Sequence, residues 1–221
     1  MSCTPARIAS AIALMMTCVL ADRAHAKPIA FADGTTVMGE YGAGTMTELQ
    51  AFYAPTYRYS LGGGHLSLDS SIDDATRDIT YLRFNYLPKR WNFEAAQANV
   101  FVWASAGRAH IGETGDNQFA WNVGGQLDYE TRRVYASLRT DLHDASAFTH
   151  RIDTLQLGVA PYAHDYKTLA LWFVVQARQY SGGLYDGTEC AALIRLFKRS
   201  AWVEAGVTQD GKLQAMLMFN F

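Results

Sequence analysis

The sequence predicts an all-β fold, a single closed antiparallel transmembrane β-barrel of about 12 strands, with a range of about 10–14. Apolar and polar residues alternate along a succession of short segments, which is the pattern of strands that have two different faces. No segment after residue 26 has the length of about 20 apolar residues that a spanning helix needs. In lipid, a chain without such helices satisfies its backbone polar groups only as a closed barrel.

Residues 1–26 have the features of a cleaved secretory signal peptide. Arg7 supplies a positive charge, Ile8–Ala21 form an apolar stretch, and Ala24-His25-Ala26 provide small residues at a cleavage site. The apolar stretch is shorter than the about 20 residues of a spanning helix. We therefore predict export, with residues 27–221 forming the barrel domain.

Charge and cysteine content exclude several classes of protein. Loss of residues 1–26 removes Arg7, Arg23 and Asp22, which changes the formal net charge from −2 to −3. This balance gives no reason to expect nucleic-acid binding. Cys190 is then the one remaining cysteine, so an internal disulfide and a zinc site built on several thiolates are both excluded. No cofactor is expected.

Alternation at period two defines the predicted strands. Residues 119–130 are the clearest example, because their odd positions are apolar or glycine while most even positions are polar. The same pattern, with exceptions such as Phe101 and Trp103 on a polar face, recurs along the chain. The predicted strands are Thr36–Tyr41, Thr47–Leu61, His65–Asp69, Ile79–Leu87, 96–104, 119–130, Val134–Asp141, Ile152–Ala160, Leu169–Tyr180, Ala191–Lys198, Ala201–Thr208 and 213–221.

Alternation alone does not decide which face points inward, because a soluble barrel buries its apolar face and a membrane barrel exposes it. Two features favour the membrane arrangement. Arg, Asp, Glu, Gln and Asn occupy mid-strand positions, and aromatic residues such as Tyr57, Phe119 and Tyr129 lie at the ends of apolar faces, as in interfacial girdles. We therefore predict that the polar face lines the lumen.

The final strand carries the most specific signal. Leu213, Ala215, Leu217, Phe219 and Phe221 share one face of the segment that ends the chain. This pattern resembles the C-terminal signal of Gram-negative outer-membrane β-barrel proteins. The resemblance implies an outer-membrane location, contact with outer-membrane lipid, recognition by the barrel assembly machinery through Leu217, Phe219 and Phe221, and closure of the barrel by the last strand.

The connections are consistent with periplasmic termini. With Phe221 on the periplasmic side, the turns there are short and mostly basic, whereas the external loops are generally longer and rich in Asp and Gly. The predicted periplasmic turns are Gly62-Gly63-Gly64, Pro88-Lys89-Arg90, Thr131-Arg132-Arg133, 164–167 and Lys198-Arg199-Ser200. The predicted external loops are Ser70–Arg77, Gly107–Asn117, Leu142–Thr149, Ser181–Thr188 and 209–212.

The predicted lumen contains charges of both signs. Two readings remain open: mutual ion pairs that fill the interior, or an arginine-lined path for small anionic solutes. The predicted lumen-lining residues are Arg58, Arg83, Arg139, Arg178, Arg195, Glu204 and Asp128.

Methionine and glutamate residues of the first two strands and the last strand form a second inward set. Thioethers bind monovalent copper and carboxylates assist divalent ions, although methionine also fills irregular space in cores. The set comprises Met38, Glu40, Met46, Glu48, Met216 and Met218. In addition, residues 27–46 resemble uncharacterised proteobacterial proteins associated with heavy-metal resistance loci, which implies genomic association and not a site.

Three functions follow in order. The first is a small porin or transport-related channel for small solutes, and the second is an outer-membrane component of copper-type metal handling. The third is a lipid-modifying enzyme with a rim site drawn from one predicted external loop, Leu142–Thr149, and the residues that flank it. The candidates there are Asp141, His143, Asp144, Ser146 and His150, but such a site needs a rigid geometry that a polar loop does not supply. We therefore expect that the protein is not an enzyme.

Overall fold

A computed structural model describes residues 32–73, 75–112, 115–164 and 168–221. Within these ranges the chain forms twelve β-strands, and no helix there is long and apolar enough to cross a membrane. The strands are β1 (Gly34–Gly42), β2 (Met46–Thr56), β3 (Tyr59–Asp69), β4 (Thr76–Asn92), β5 (Ala96–Ile111), β6 (Asn117–Thr131), β7 (Val134–Ala145), β8 (Phe148–Val159), β9 (Ala170–Ser181), β10 (Gly187–Lys198), β11 (Ala201–Thr208) and β12 (Leu213–Asn220). The predicted signal peptide, residues 1–26, lies outside the described residues.

The sheet closes on itself, as predicted. Each strand pairs antiparallel with its chain neighbours, and β1 pairs with β12 from Thr36↔Asn220 to Gly42↔Gln214. A 2.6 Å hydrogen bond from the Thr36 hydroxyl to Asn220 Oδ1 joins the two strands inside the barrel. We call the end where β1 begins and β12 ends the terminal end, and the opposite end the loop end.

The outer surface is apolar around the barrel. Outward strand positions carry exposed aliphatic side chains such as Leu49, Leu82 and Leu127. Exposed aromatic residues form a belt near the terminal end. The belt contains Tyr53, Tyr57, Trp91, Phe93, Tyr129, Tyr162 and Phe221. An apolar band bordered by an aromatic girdle is the outer surface of transmembrane barrels.

The turn predicted at Gly62–Gly64 is wrong. These glycines lie within β3, and β2 and β3 are joined instead at Tyr57 and Arg58. A Cβ added at Gly64 would lie 2.6 Å from Tyr81 Oη. Glycine therefore serves here to let an aromatic side chain approach the backbone, a role that the sequence does not distinguish from a turn.

Two other predicted connections are also strand. Residues 88–90 belong to β4, where a register shift between Tyr86 and Lys89 accommodates a proline that cannot donate to the ladder. The predicted loop Leu142–Thr149 is mostly strand, because β7 runs to Ala145 and β8 begins at Phe148. Polar side chains in these segments suggested loops, but His143 is buried on the inward face of β7, and Arg90 Nε donates to Asn99 Oδ1 at 2.7 Å.

The predicted difference in length between the periplasmic turns and the external loops holds only in part. Short turns do occur after β6 and β10, at residues 132–133 and 199–200. However, the longest connection, residues 160–169, lies at the terminal end, and β7 and β8 are joined at the loop end by residues 146–147 alone. Loop length is therefore a weaker guide to orientation here than the sequence indicated.

Candidate functional site in the barrel lumen

The lumen is lined by polar and charged side chains. Glu48, Arg83, Asn122, Arg178 and Glu204 are all buried, although their strands have apolar outer faces. This confirms the prediction that the polar face points inward. Burial of charge requires partners, and the interior supplies them.

Four ionic side chains form the centre of the lumen. Arg178 pairs with Glu40 across the barrel, and Arg139 Nη1 lies 3.6 Å from the other oxygen of Glu40. Arg139 Nε also donates to Asp141 Oδ2 at 2.6 Å. Glu40 therefore connects β1 with β7 and β9, and this group spans the interior.

Arg83 extends this group toward β2. Its guanidinium lies 3.7 Å from Glu48 and donates to Gln50 and Asn122 at 3.0 and 3.2 Å. The Tyr81 hydroxyl donates to Glu48. These contacts fix the Arg83 side chain between three strands.

A chain of side-chain hydrogen bonds continues around the other wall. Tyr180 lies within hydrogen-bond distance of Arg178 and donates to Glu189, which also accepts from Gln214. Hydrogen bonds of glutamine amides continue this chain toward the terminal end, where the chain reaches the ion pair between Arg195 and Glu204. The remaining members are Gln176, Gln156, Glu204 and Arg195.

Arg195 is held between two aromatic rings. Its guanidinium carbon lies 4.4 Å from the Tyr135 ring centre and 4.3 Å from that of Trp202. Arg195 Nε donates to Glu204 at 2.5 Å. Contact with two aromatic rings and a hydrogen bond to a carboxylate together leave the guanidinium little freedom to move.

Three adjoining cavities lead from the terminal end into the lumen. A terminal cavity of about 350 Å³ and a middle cavity of about 120 Å³ share Tyr135, Arg195 and Trp202 as lining residues. The middle cavity shares Glu40 and Arg178 with a narrow cavity of about 10 Å³. The open space therefore decreases along the barrel toward the loop end.

An apolar layer closes the lumen beyond the narrow cavity. Buried side chains from β2 to β9 pack together there with Leu184, which belongs to the connection between β9 and β10. The apolar layer consists of Met46, Leu66, Leu68, Ile79, Tyr81, Ala109, Ile111, Ala120, Ala145, Phe148, Ile152, Tyr180 and Leu184. Met46, Leu66 and Ile152 also line the narrow cavity, so the cavities end at this layer.

Most of the predicted lumen-lining residues face the interior. The ionic group at the centre of the lumen contains Arg83, Arg139 and Arg178. The chain of side-chain hydrogen bonds along the other wall ends at Arg195 and Glu204. Asp128 is buried and accepts a 2.6 Å hydrogen bond from Asn99 Nδ2.

Arg58 is the exception, and its predicted place in the lumen is wrong. It lies exposed in the turn between β2 and β3, with its Nε donating to the Tyr57 hydroxyl at 3.0 Å. The strand prediction that ran through residues 57 and 58 caused this error, because a turn there ends the alternation.

The predicted methionine and glutamate set does lie on one wall. Met38 faces Met218 and Glu40 faces Met216 across β1 and β12, while Glu40 faces Glu48 across β1 and β2. Both glutamates pair with arginines, and Arg178 Nη1 approaches Met46 Sδ to 3.9 Å. In the described part of the chain, no three His, Cys, Asp or Glu side chains are grouped to hold a metal ion. Metal binding by this set stays a prediction.

The loop proposed as an enzyme rim does not exist as such. His143 and His150 are buried and lie opposite each other in the β7–β8 pair, and Asp141 accepts a 2.8 Å hydrogen bond from Trp103 Nε1. Asp141 is also held by Arg139. Asp141, His143 and His150 are therefore buried groups of the barrel interior and do not form a solvent-exposed rim.

Sequence reasoning missed several residues that complete the lumen. Glu189 was placed next to a loop, because the strand there was predicted to begin only at Ala191. It shares the inward parity of Arg195, so extending the alternation by one pair would have found it. Tyr135 and Tyr180 lay on predicted strands, but nothing in the local pattern indicates which cation each one contacts.

The terminal strand occupies the position that its pattern predicts. β12 closes the barrel between β1 and β11, and Phe221 is exposed at the terminal end. Leu217 and Phe219 lie on the same outward side, opposite in parity to buried Met218. Their role in assembly stays a prediction.

Comparisons with known proteins found likeness only among solved structures. No known protein family matches the sequence, and no curated protein does. A KdgM porin is similar over 85% of this chain and 98% of its own, with 10% identity and a TM-score of 0.44. A loop L8 deletion mutant of OmpT, an outer-membrane protein of Vibrio cholerae, is similar over 85% of this chain and 97% of its own, with 8% identity and a TM-score of 0.31. Neither name mentions metals, so the resemblance of residues 27–46 to proteins of heavy-metal resistance loci stays a prediction.

Proposed function

We propose that this protein is an outer-membrane β-barrel that conducts small solutes through its lumen, as a small porin-type channel. Three adjoining cavities along the lumen carry the proposal, because a solute entering at the terminal end has open space as far as Glu40 and Arg178, lined by charged and amide side chains together with aromatic and methionine side chains. The apolar outer surface and its aromatic belt support insertion in lipid. Lipid and a small solute are then the partners.

The charges in the lumen support weak selectivity between ions. Four arginines are paired with four carboxylates, and Asp128 and Glu189 are two further buried acidic residues. A solute passing this region therefore meets alternating donors and acceptors, not a field of one sign. Small polar or zwitterionic solutes fit such a lining better than strongly charged ones.

Conductance in a planar lipid bilayer tests the proposal. Purified and refolded residues 27–221 should give discrete current steps in concentrated KCl. Protein that migrates as a folded barrel in gels of unheated samples, yet gives no current at any voltage or salt concentration, would contradict a channel function.

Glu40→Gln should shift the selectivity of the channel toward anions. The substitution removes one negative charge where the middle and narrow cavities meet. A unit charge at about 4 Å in water attracts a cation and repels an anion by about 1 kcal/mol each, so the permeability ratio of cations to anions should fall by up to about thirtyfold. The reversal potential in a KCl gradient measures this ratio.

Asp153→Asn is the matched control for Glu40→Gln. Asp153 pairs with Arg151 away from the lumen lining, with N and O 2.9 Å apart, so its loss should leave the reversal potential unchanged. Equal shifts in both variants would mean that ions do not pass Glu40.

A further inference from the structure

The connection between β9 and β10 reaches into the mouth of the barrel. We call residues 182–186 the strap. Leu184 at its centre is only 2% exposed and packs in the apolar layer, and the ring of Tyr185 meets that of Tyr180 edge-on with centres 5.0 Å apart. The strap therefore covers the lumen and does not extend away from it.

The strap contacts the opposite side of the barrel. In the ring of twelve strands, the β9–β10 connection and the β3–β4 connection are separated by six strands in either direction. Nevertheless, the Ser71 N–H donates to the Leu184 carbonyl at 2.8 Å, and the Ser71 hydroxyl approaches the same oxygen at 3.4 Å. The strap and Ser71 together thus span the whole mouth.

Side-chain contacts join the described residues of the connection that receives the strap. Asp73 accepts from the Ala75 N–H at 3.1 Å and pairs with Arg77. A hydrogen bond with the Ser70 hydroxyl, together with Arg77, holds the pKa of the Asp73 carboxyl at about 2. Asp73 therefore stays charged at neutral pH, and Ser71 is presented from a stable turn.

Both ends of the strap carry glycine. Gly182, Gly183 and Gly187 have φ values of 95°, 96° and 143°, which other residues rarely adopt. The strap is held by the contact with Ser71 and by the packing of Leu184 and Tyr185, whereas each strand is held by hydrogen-bonded ladders on both sides. Glycine at both ends allows the segment to rotate as a unit without strain in the strands.

We propose that the strap is a gate that closes the lumen in this structure and opens it by swinging away from Ser71 about Gly182–Gly183 and Gly187. This inference rests on the proposed channel function, because it assigns the regulation of the same path. When the strap leaves, Leu184 is withdrawn from the apolar layer, and the contact between opposite sides of the mouth is lost. Access from the loop end to the narrow cavity then depends on the strand side chains alone.

Leu184→Asp tests the gate. An unpaired carboxylate is strongly disfavoured in an apolar layer, so the closed position should be lost and the open probability in a planar bilayer should rise about tenfold or more. Leu184→Met keeps an apolar side chain of similar volume and should remain like the parent protein. Ile72→Asp makes the same chemical change at a 68% exposed loop residue and should also have no effect.

A labelling experiment separates the gate from the channel function. In a Cys190→Ser background, Ala120→Cys places a thiol in the apolar layer, where Ala120 is 2% exposed. A polymer-linked maleimide, too wide for the cavities, should label this cysteine much faster when Leu184→Asp is also present. Gel migration of unheated samples confirms that each variant is folded.

The outcomes are distinct. Faster labelling together with a higher open probability supports the gate. Unchanged labelling and unchanged open probability in a conducting protein would overturn it. Faster labelling with no current in any variant would support movement of the strap and overturn the channel function, and with it the role of the strap as a gate.

Discussion

Replacing Arg178 by methionine should destabilise the folded barrel by about 3–5 kcal/mol, because breaking a buried ion pair leaves an uncompensated charge. Arg178 is 6% exposed and provides the cationic partner of Glu40 from β9. Without it, Glu40 keeps only the 3.6 Å contact with Arg139, which Asp141 already shares. The free energy of unfolding in lipid vesicles, from urea titrations followed by tryptophan fluorescence, measures the effect.

A second substitution should recover part of the loss. Glu40→Gln in the Arg178→Met background removes the unpaired carboxylate, so the double variant should be more stable than Arg178→Met alone. Arg151→Met is the matched control, since Arg151 pairs with Asp153 at an exposed site and such pairs contribute about 0–1 kcal/mol. A double variant that is less stable than both single variants would contradict the assigned pairing.

Gly206→Ala should be nearly as harmful, although it adds a single methyl group. The added Cβ would lie 2.0 Å from the Ala192 carbonyl oxygen and 2.7 Å from the Leu193 Cα, so the backbones of β10 and β11 would have to separate. We expect a loss of about 1–3 kcal/mol, or failure to fold, measured by the same titrations.

Gly39→Ala provides the control for the close approach at Gly206. Its added Cβ would meet nothing nearer than 3.9 Å, and alanine reduces the freedom of the unfolded chain, so this variant should be neutral or slightly stabilised. If the two alanine variants lost stability equally, the effect would reflect glycine content and not the contact with β10.

Alternation of residue types predicted most of the fold because it reflects a purely local property. Side chains on successive residues of a strand point to opposite faces, so residues such as Arg195 and Glu204 could be assigned to the lumen without knowledge of their partners. The closure by β12 followed from the same pattern in the last strand. Most of the candidate lumen was therefore accessible from the sequence.

Strand ends were predicted less well, because glycine, proline and polar residues have more than one use. Gly63 and Gly64 permit a close approach to Tyr81, the shift near Lys89 accommodates Pro88, and His143 continues the inward face of β7. Each was interpreted as part of a connection. The choice between these uses depends on side chains of neighbouring strands, which a single local segment does not contain.

Contacts across the lumen were not predictable at all. Ser71 and Leu184 are separated by 113 residues, and Arg178 meets Glu40 across 138. Their contacts depend on the curvature of the closed sheet and on which connections bend inward. The strap in particular consists of glycine, leucine and polar residues that resemble an ordinary external loop.

Cysteine labelling at two adjacent residues of β6 tests whether one face of the barrel strands lines a solvent path while the other face lies in lipid. In the Cys190→Ser background, Gln126→Cys lies in the middle cavity, and Leu127→Cys replaces a side chain that is 53% exposed on the outside. A charged, water-soluble thiol reagent should react with Gln126→Cys and reduce the conductance, while Leu127→Cys should react only with a lipid-soluble maleimide. The reverse pattern, or block of conductance through residue 127, would mean that the polar face does not line the solvent path.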